Sequence, residues 1–176
     1  EDLPEIAQLC SEYNAKSYIT LNTIIYDHDM ALMRKIIDQA KESNISAVIA
    51  SDLAVMSYAK KKGVEVHIST QANVTNIETV EFYAEYADVI VTSRELTLQQ
   101  VKLITKEIER RQITGPSGRL IEIEVFAHGA LCMAVSGKCY LSLHSHNASA
   151  NRGACIQNCR REYTVTDEEG IELKID

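Results

Sequence analysis

Four of the chain's five cysteines, Cys132, Cys139, Cys155 and Cys159, fall in the stretch CMAVSGKCYLSLHSHNASANRGACIQNC, separated by six, fifteen and three residues. Thiolates in this number can hold a tetrahedral zinc ion or an iron–sulfur cluster. The spacing separates the two only weakly. Closely spaced C-x2-C knuckles of structural zinc sites are absent, and so are the common ferredoxin runs. Buried thiols without a ligand role are the remaining reading. Ser136 and Gly137 precede Cys139, and Arg152 and Gly153 precede Cys155. Tight turns are expected at both places, with backbone N–H groups directed at sulfur to stabilise its negative charge. Cys10 stands apart on an expected helix, where a small buried hydrophobe is its simplest role.

Charge sharpens the picture around the thiols. The chain carries a net charge of -7, yet residues 132–163 hold Lys138, Arg152, Arg160 and Arg161 against Glu162 alone, a local +3 that leaves -10 for the remainder. A basic segment on an acidic body concentrates anions near the cysteines, and guanidinium groups bind phosphate or carboxylate in bidentate fashion. Arg152, Arg160 and Arg161 are therefore candidate contacts to an anionic substrate. A merely solvated basic loop is the plainer alternative.

The elements that must position these groups alternate regularly. β-Branched runs at 17–25, 47–51, 64–70, 88–93 and 120–127 read as strands apolar enough to be covered on both faces. Between them, Met33, Ile36, Ile37 and Ala40 form one stripe at helical spacing, and Leu98, Val101, Ile104 and Ile108 form another. Thr75 with Glu78 and Thr97 with Gln100 fit capping boxes, and GPSG at 115–118 breaks the chain before the fifth strand. A β-α order of this kind means a parallel sheet with right-handed crossovers. A barrel is favoured over an open nucleotide-binding sheet because no strand is followed by a glycine-rich phosphate loop. Five strands are too few to close a TIM-type barrel, so an incomplete one is expected over 1–131, with a cysteine-rich segment at 132–163 and a β-hairpin at 164–176.

Composition agrees with an ordinary globular chain, 45% hydrophobic and 24% charged over 176 residues. No apolar run is long enough to cross a bilayer, and the acidic start has no signal-peptide pattern, so a reducing cytoplasm and no membrane partner are expected. The first residue is not Met, which points to a piece of a longer protein.

In either parallel architecture, ligands sit at the carboxyl ends of the strands. Those ends read Asn22 and Thr23, Ser51 and Asp52, Ser69 to Gln71 with Asn73, Arg94 and Glu95, then His128 and Gly129. Together they describe a polar floor able to hydrogen-bond a small polar molecule or a base. Asn22, Gln71, Asn73 and Glu95 are candidate substrate contacts, Arg94 a carboxylate anchor and His128 a proton-transfer group. Singly, each has a structural alternative: Asp52 as a helix cap, Arg94 and Glu95 as an exposed pair, His67 as an internal histidine.

The segments EVFAHGALCMAVSGKCYLS and NRGACIQNCRREY, supported upstream by TLNTIIYD, ISTQANVTN and SRELTLQQV, resemble the collagenase-type peptidase family. Its members include tRNA- and rRNA-hydroxylation proteins and an oxygen-independent ubiquinone-hydroxylation pair. The resemblance implies an incomplete TIM-type barrel lacking amino-terminal units. It also implies a 4Fe-4S cluster on Cys132, Cys139, Cys155 and Cys159, with zinc as a substitute. HGALC and NRGAC place the chain nearer the tRNA-hydroxylation branch. That branch implies a tRNA partner modified at the wobble uridine and a small carboxylate hydroxyl donor such as prephenate. Many relatives carry Arg-Asp where this chain has Ala148 and Ser149, which removes a charged pair near the cysteines. Peptidase activity is the alternative the family's older name carries, although no H-E-x-x-H or recognisable nucleophile context is present. A non-catalytic module pinned by zinc or a cluster is the third.

Overall fold

Parallel pairing organises the amino-terminal part of the chain. The computed structural model describes residues 2–129 and 131–175, with side chains described to residue 172 at the carboxyl end. Two units divide at Leu131 and Cys132. The first runs α1 (Leu3–Glu12), β1 (Tyr18–Leu21), α2 (Met30–Glu42), β2 (Ala47–Ala50), α3 (Leu53–Lys62), β3 (Val66–Ile68), α4 (Ile77–Ala84), β4 (Val89–Val91), α5 (Leu98–Arg111) and β5 (Glu122–Glu124). Its five strands lie in the order β1-β2-β3-β4-β5, all parallel.

Register explains which side chains meet the helices. Leu21, Ala50, Ile68, Ile90 and Ile123 lie side by side across the sheet, as do Ile19, Val48 and Val66. These rows join Met33, Ile37, Val55, Met56, Val80, Ile104 and Ile108 in one apolar cluster. The alternate row, Thr20, Ile49, His67, Val89 and Glu122, points to the opposite face. Helices gathered on one face of a sheet whose order never reverses are consistent with a partial (βα) barrel. A doubly wound sheet reverses its order and carries helices on both faces.

The expected strands shorten at their carboxyl ends because the polar residues there leave the ladder. After β1, the Asn22 carbonyl accepts the Ser51 hydroxyl at 2.7 Å and the Ile25 amide turns to Asp52 at 3.1 Å. The Met33, Ile37 and Ala40 stripe is buried, with Ile36 at its margin. On α5 the buried stripe comprises Ile104 and Ile108 with Val101 half-buried, whereas Leu98 is 79% exposed, because it opens the helix beside its cap. Cys10 is only half-buried on α1.

Of the two expected capping boxes, that of Thr97 and Gln100 forms in both directions, through bonds of 2.8 and 3.3 Å. Helix α4 is capped one residue later than expected. Asn76 accepts from the Thr79 amide at 2.9 Å, in keeping with the stronger N-cap preference of Asn over Thr. Thr97→Ala is expected to cost about 1 kcal/mol, read as a shift in denaturant midpoint at unchanged slope.

At the amino end of β4, the turn formed by Gly115 to Gly118 is hooked onto buried Asp88. Its carboxylate accepts the Ser117 amide at 3.1 Å and the Ser117 hydroxyl at 2.5 Å. A Cβ built on Gly115 would stand 2.7 Å from the Ala87 carbonyl oxygen and 2.9 Å from Asp88 Cα. On the helical surface, Arg111 bridges Glu78 and Glu81 of α4 to Glu107 of α5. Arg110 and then Arg111 hold the Glu107 carboxyl at about 2.

The second unit contains α6 (Leu141–His146), short 3-10 turns at Ala150–Arg152 and Asn158–Arg160, and the antiparallel pair β6 (Tyr163–Thr166) and β7 (Glu172–Ile175). Asp176, the last residue of the expected hairpin, lies outside the described residues. The buried residues described in this unit are all polar: Ser136, Ser142, Asn151 and Asn158. Its larger apolar side chains, Met133, Val135, Tyr140, Leu141, Leu143 and Ile156 among them, are exposed. Among the described residues, no helix is long and apolar enough to cross a membrane.

Candidate functional site

The polar strand ends are tied to one another. Asn22 reaches from β1 across β2 to donate to the Ser69 hydroxyl at 3.3 Å, and Ser69 also accepts the Gln71 amide at 3.2 Å. Thr70 donates to the Thr92 carbonyl at 3.3 Å, and Val74 forms a parallel bridge with Thr92. Asn22 and Gln71, at the ends of β1 and β3, are thus linked through Ser69 across the end of β2. Asn73 adopts a left-handed conformation at φ 53° and donates to the Gln71 carbonyl at 3.0 Å, so part of its amide serves the turn.

Asp52 serves as a cap, accepting from the Ala54 amide at 2.8 Å while holding the Ile25 amide. After β4, Ser93 is buried, Arg94 half-buried and Glu95 exposed. The Ser93 hydroxyl donates to Glu95, which, with a backbone bond and the Arg94 charge, holds that carboxyl below the usual range. His128 differs from expectation. Strand β5 is confined to Glu122–Glu124, so His128 lies on an exposed loop four residues beyond it. His67 is buried on β3, 3.2 Å from Glu65 and with its ring tilted against that of Tyr18, the internal role considered for it.

In the second unit, buried polar groups fasten the segments that carry the thiols. The Cys139 amide donates to the Asn151 side-chain oxygen at 3.2 Å. The Ile156 amide, next to Cys155, donates to Ser142 on α6 at 3.0 Å. Asn158, next to Cys159, contacts Ser145 and His146 of α6, and its carbonyl accepts the Tyr163 hydroxyl at 2.7 Å. Gly137 and Gly153 have φ of 72° and 87°, the turns expected before Cys139 and Cys155. Arg152 is half-buried, while Arg160 and Arg161 are exposed. Sequence reasoning missed Asn151, Ser142 and Asn158. Their signal was a set of amides and hydroxyls interleaved with cysteines where no apolar period runs.

All four thiols are free, Cys132 and Cys155 exposed, Cys139 and Cys159 half-buried. Among the described residues, no three His, Cys, Asp or Glu side chains stand together as a metal-ligand group. The donor set nevertheless fits a thiophilic centre. It offers four free sulfurs in one unit, two of them on segments fastened through the Cys139 and Ile156 amides. Drawing thiolates together without a cation is opposed by their mutual repulsion, so binding of such a centre would be coupled to closure of the site.

Comparison with known proteins fixes the lineage. Residues 1–174 match the family described as peptidase family U32. The chain belongs to that family. It is 59% identical over 177 residues to a collagenase of Porphyromonas gingivalis, covering 100% of this chain and 43% of the relative. It is 34% identical to a 23S rRNA 5-hydroxycytidine C2501 synthase of Escherichia coli, covering 97% of this chain and 24% of the relative. It is 33% identical to the tRNA hydroxylation protein P of Escherichia coli, covering 89% of this chain and 33% of that one. The chain therefore spans less than half the length of these relatives. No solved structure matches it.

Proposed function

We propose that this chain forms part of an iron–sulfur enzyme that hydroxylates an RNA base without dioxygen, with the wobble uridine of tRNA as the substrate position. The observation that carries the proposal lies in the second unit, where four free thiols, polar burial and the basic stretch 132–163 come together. Cys132, Cys139, Cys155 and Cys159 would hold a 4Fe-4S cluster, which supplies electron transfer or substrate activation when bound. Zinc occupies the same thiols after aerobic purification. A reducing cytoplasm keeps the sulfurs available for ligation.

The chain's own residues divide the remaining work. Arg160 and Arg161, exposed on the basic segment, and Arg152 contact RNA phosphate or the carboxylates of a donor such as prephenate. Asn22 and Gln71 offer amide groups to a base edge, with Asn73 held against Gln71 and Glu95 on the loop after β4 as further contacts. Arg94 anchors a carboxylate. His128, on its exposed loop, exchanges a proton near neutral pH.

The names of the Porphyromonas relatives favour a second reading, peptide hydrolysis. Serine-protease chemistry needs an imidazole positioned to take the nucleophile's proton. Ser145 and His146 are the seryl–imidazole contact described, at 2.8 Å, but the Ser145 hydroxyl lies 2.7 Å from the Leu141 carbonyl as a donor, and the imidazole belongs to the adjacent residue. That geometry serves α6 rather than an attack on a peptide.

The test is anaerobic purification of the full-length protein with iron, sulfide and zinc quantified per chain, alongside mass spectrometry of nucleosides from cells lacking or expressing it. Iron and sulfide in cluster proportion and a hydroxylated nucleoside that depends on the gene are expected. His128→Ala is expected to lower that nucleoside about 100-fold without removing iron. A colourless protein after anaerobic reconstitution, or peptide cleavage that survives loss of all four cysteines, would overturn the proposal.

A further inference from the structure

Helix α6 puts its two faces to different uses. Ser142, 2% exposed, accepts the Ile156 amide at 3.0 Å, and one turn on Ser145 and His146 contact Asn158, so this face fastens the segments that carry Cys155 and Cys159. The opposite face carries rings. Tyr140 caps the helix and its carbonyl accepts the His144 amide at 2.8 Å, which sets the two residues one turn apart, each about 160° round the axis from Ser142. Both side chains point away from the unit's polar interior. Tyr140 is 67% exposed, His144 is exposed as well, and neither ring meets another ring or a cation among the described residues.

Charge decides what such a face meets. Lys138, Arg160 and Arg161 are exposed, and the turns bearing Arg152 and Arg160 pack against α6, so rings and cations share one small body. A polyanion with flat apolar faces complements both, and that is single-stranded RNA. We propose that Tyr140, with His144 one turn on, is a stacking platform for an unpaired base of the RNA substrate, while Lys138, Arg152 and Arg160 hold the phosphates beside it. The inference rests on the RNA reading given under Proposed function. Guanidinium contacts to phosphate serve duplex and single strand alike, whereas an exposed ring needs a base released from its own stack. The face therefore selects a loop over a helix.

The experiment compares full-length wild type, Tyr140→Leu and Tyr140→Phe, purified anaerobically, in binding a short fluorescent oligouridylate and a duplex RNA of equal length, by anisotropy over a salt series. Tyr140→Leu keeps an apolar side chain without a ring, and Tyr140→Phe keeps the ring without its hydroxyl. The first is expected to bind oligouridylate about tenfold more weakly, with unchanged salt dependence and unchanged duplex affinity, and the second to bind as wild type does. Wild-type affinity of Tyr140→Leu for the oligouridylate would overturn the inference. Equal losses on duplex and single strand, or a loss shared by Tyr140→Phe, would overturn it too, since neither is the signature of a ring stacked on a base. So would a lowered thermal midpoint in Tyr140→Leu alongside the loss, which would give the ring to a protein contact of the full chain. A wild type that binds neither probe nor unmodified tRNA at low salt would instead sink the RNA reading itself.

Discussion

Replacing Cys155 by Ser is expected to bring iron and sulfide to background and to expose residues 132–163 to protease while the parallel sheet stays folded. Each unit has its own means of support, which is why the effect is local. The sheet is held by fully buried Val48, Ile68, Ile90, Val55 and Met56, none of which needs a cation. The described buried residues of the second unit are Ser136, Ser142, Asn151 and Asn158, whose hydrogen bonds contribute little net stability beyond those they would make to water. On the proposed cluster reading, ligation would provide much of that unit's order. Trypsin has sites within it at Lys138, Arg152, Arg160 and Arg161. Cleavage there in the variant, with the sheet-containing fragment surviving, checks the expectation by mass spectrometry. Equal resistance in wild type and variant would mean that ordinary packing holds the segment.

Gly115→Ala is expected to destabilise the first unit by about 3 kcal/mol, combining overpacking with weakening of hydrogen bonds to a carboxylate. The new methyl would meet the Ala87 carbonyl and the Asp88 backbone, which belong to the entry of β4 and cannot rotate away. Relieving the clash pushes the turn off Asp88 and strips that buried carboxylate of Ser117. Gly118→Ala, three residues on, is the internal comparison. Nothing lies within 4 Å of its added carbon, and only the φ of 79° resists, at about 1 kcal/mol. Urea titration of both variants separates the two mechanisms. Equal midpoints would refute the close-approach explanation.

What could be read from the chain beforehand follows the range of the interactions. The α2 stripe and the Thr97–Gln100 cap are relations between residues three or four apart, and both are present in the structure. The parallel order was legible because β-branched runs alternate with such stripes. Local pattern failed where geometry at an element's end decides the outcome, as at Leu98, Asn76 and His128. The clips of the second unit were out of reach for a different reason. Asn151 serves Cys139 from twelve residues away, Ser142 serves Ile156 from fourteen and Ser145 meets Asn158 from thirteen. No period in the sequence announces such pairs. Four sulfurs are conspicuous as a set, but their individual supports appear only when the backbone brings distant amides beside them.

The contrast between the sheet's apolar interior and the polar interior of the cysteine segment bears on the order of events during maturation. A scaffold that needs no cation can complete its folding at the ribosome's pace. The segment downstream, stabilised mainly by directional and water-exchangeable bonds, opens at lower free energy than the scaffold. If the proposed cluster binds there, it could be admitted after synthesis is finished. An apo-protein with a finished scaffold and an accessible set of thiols is a suitable acceptor for a delivery factor. Were the proposed cluster then lost to oxygen, the same acceptor would be left ready for repair instead of an unfolded chain destined for degradation.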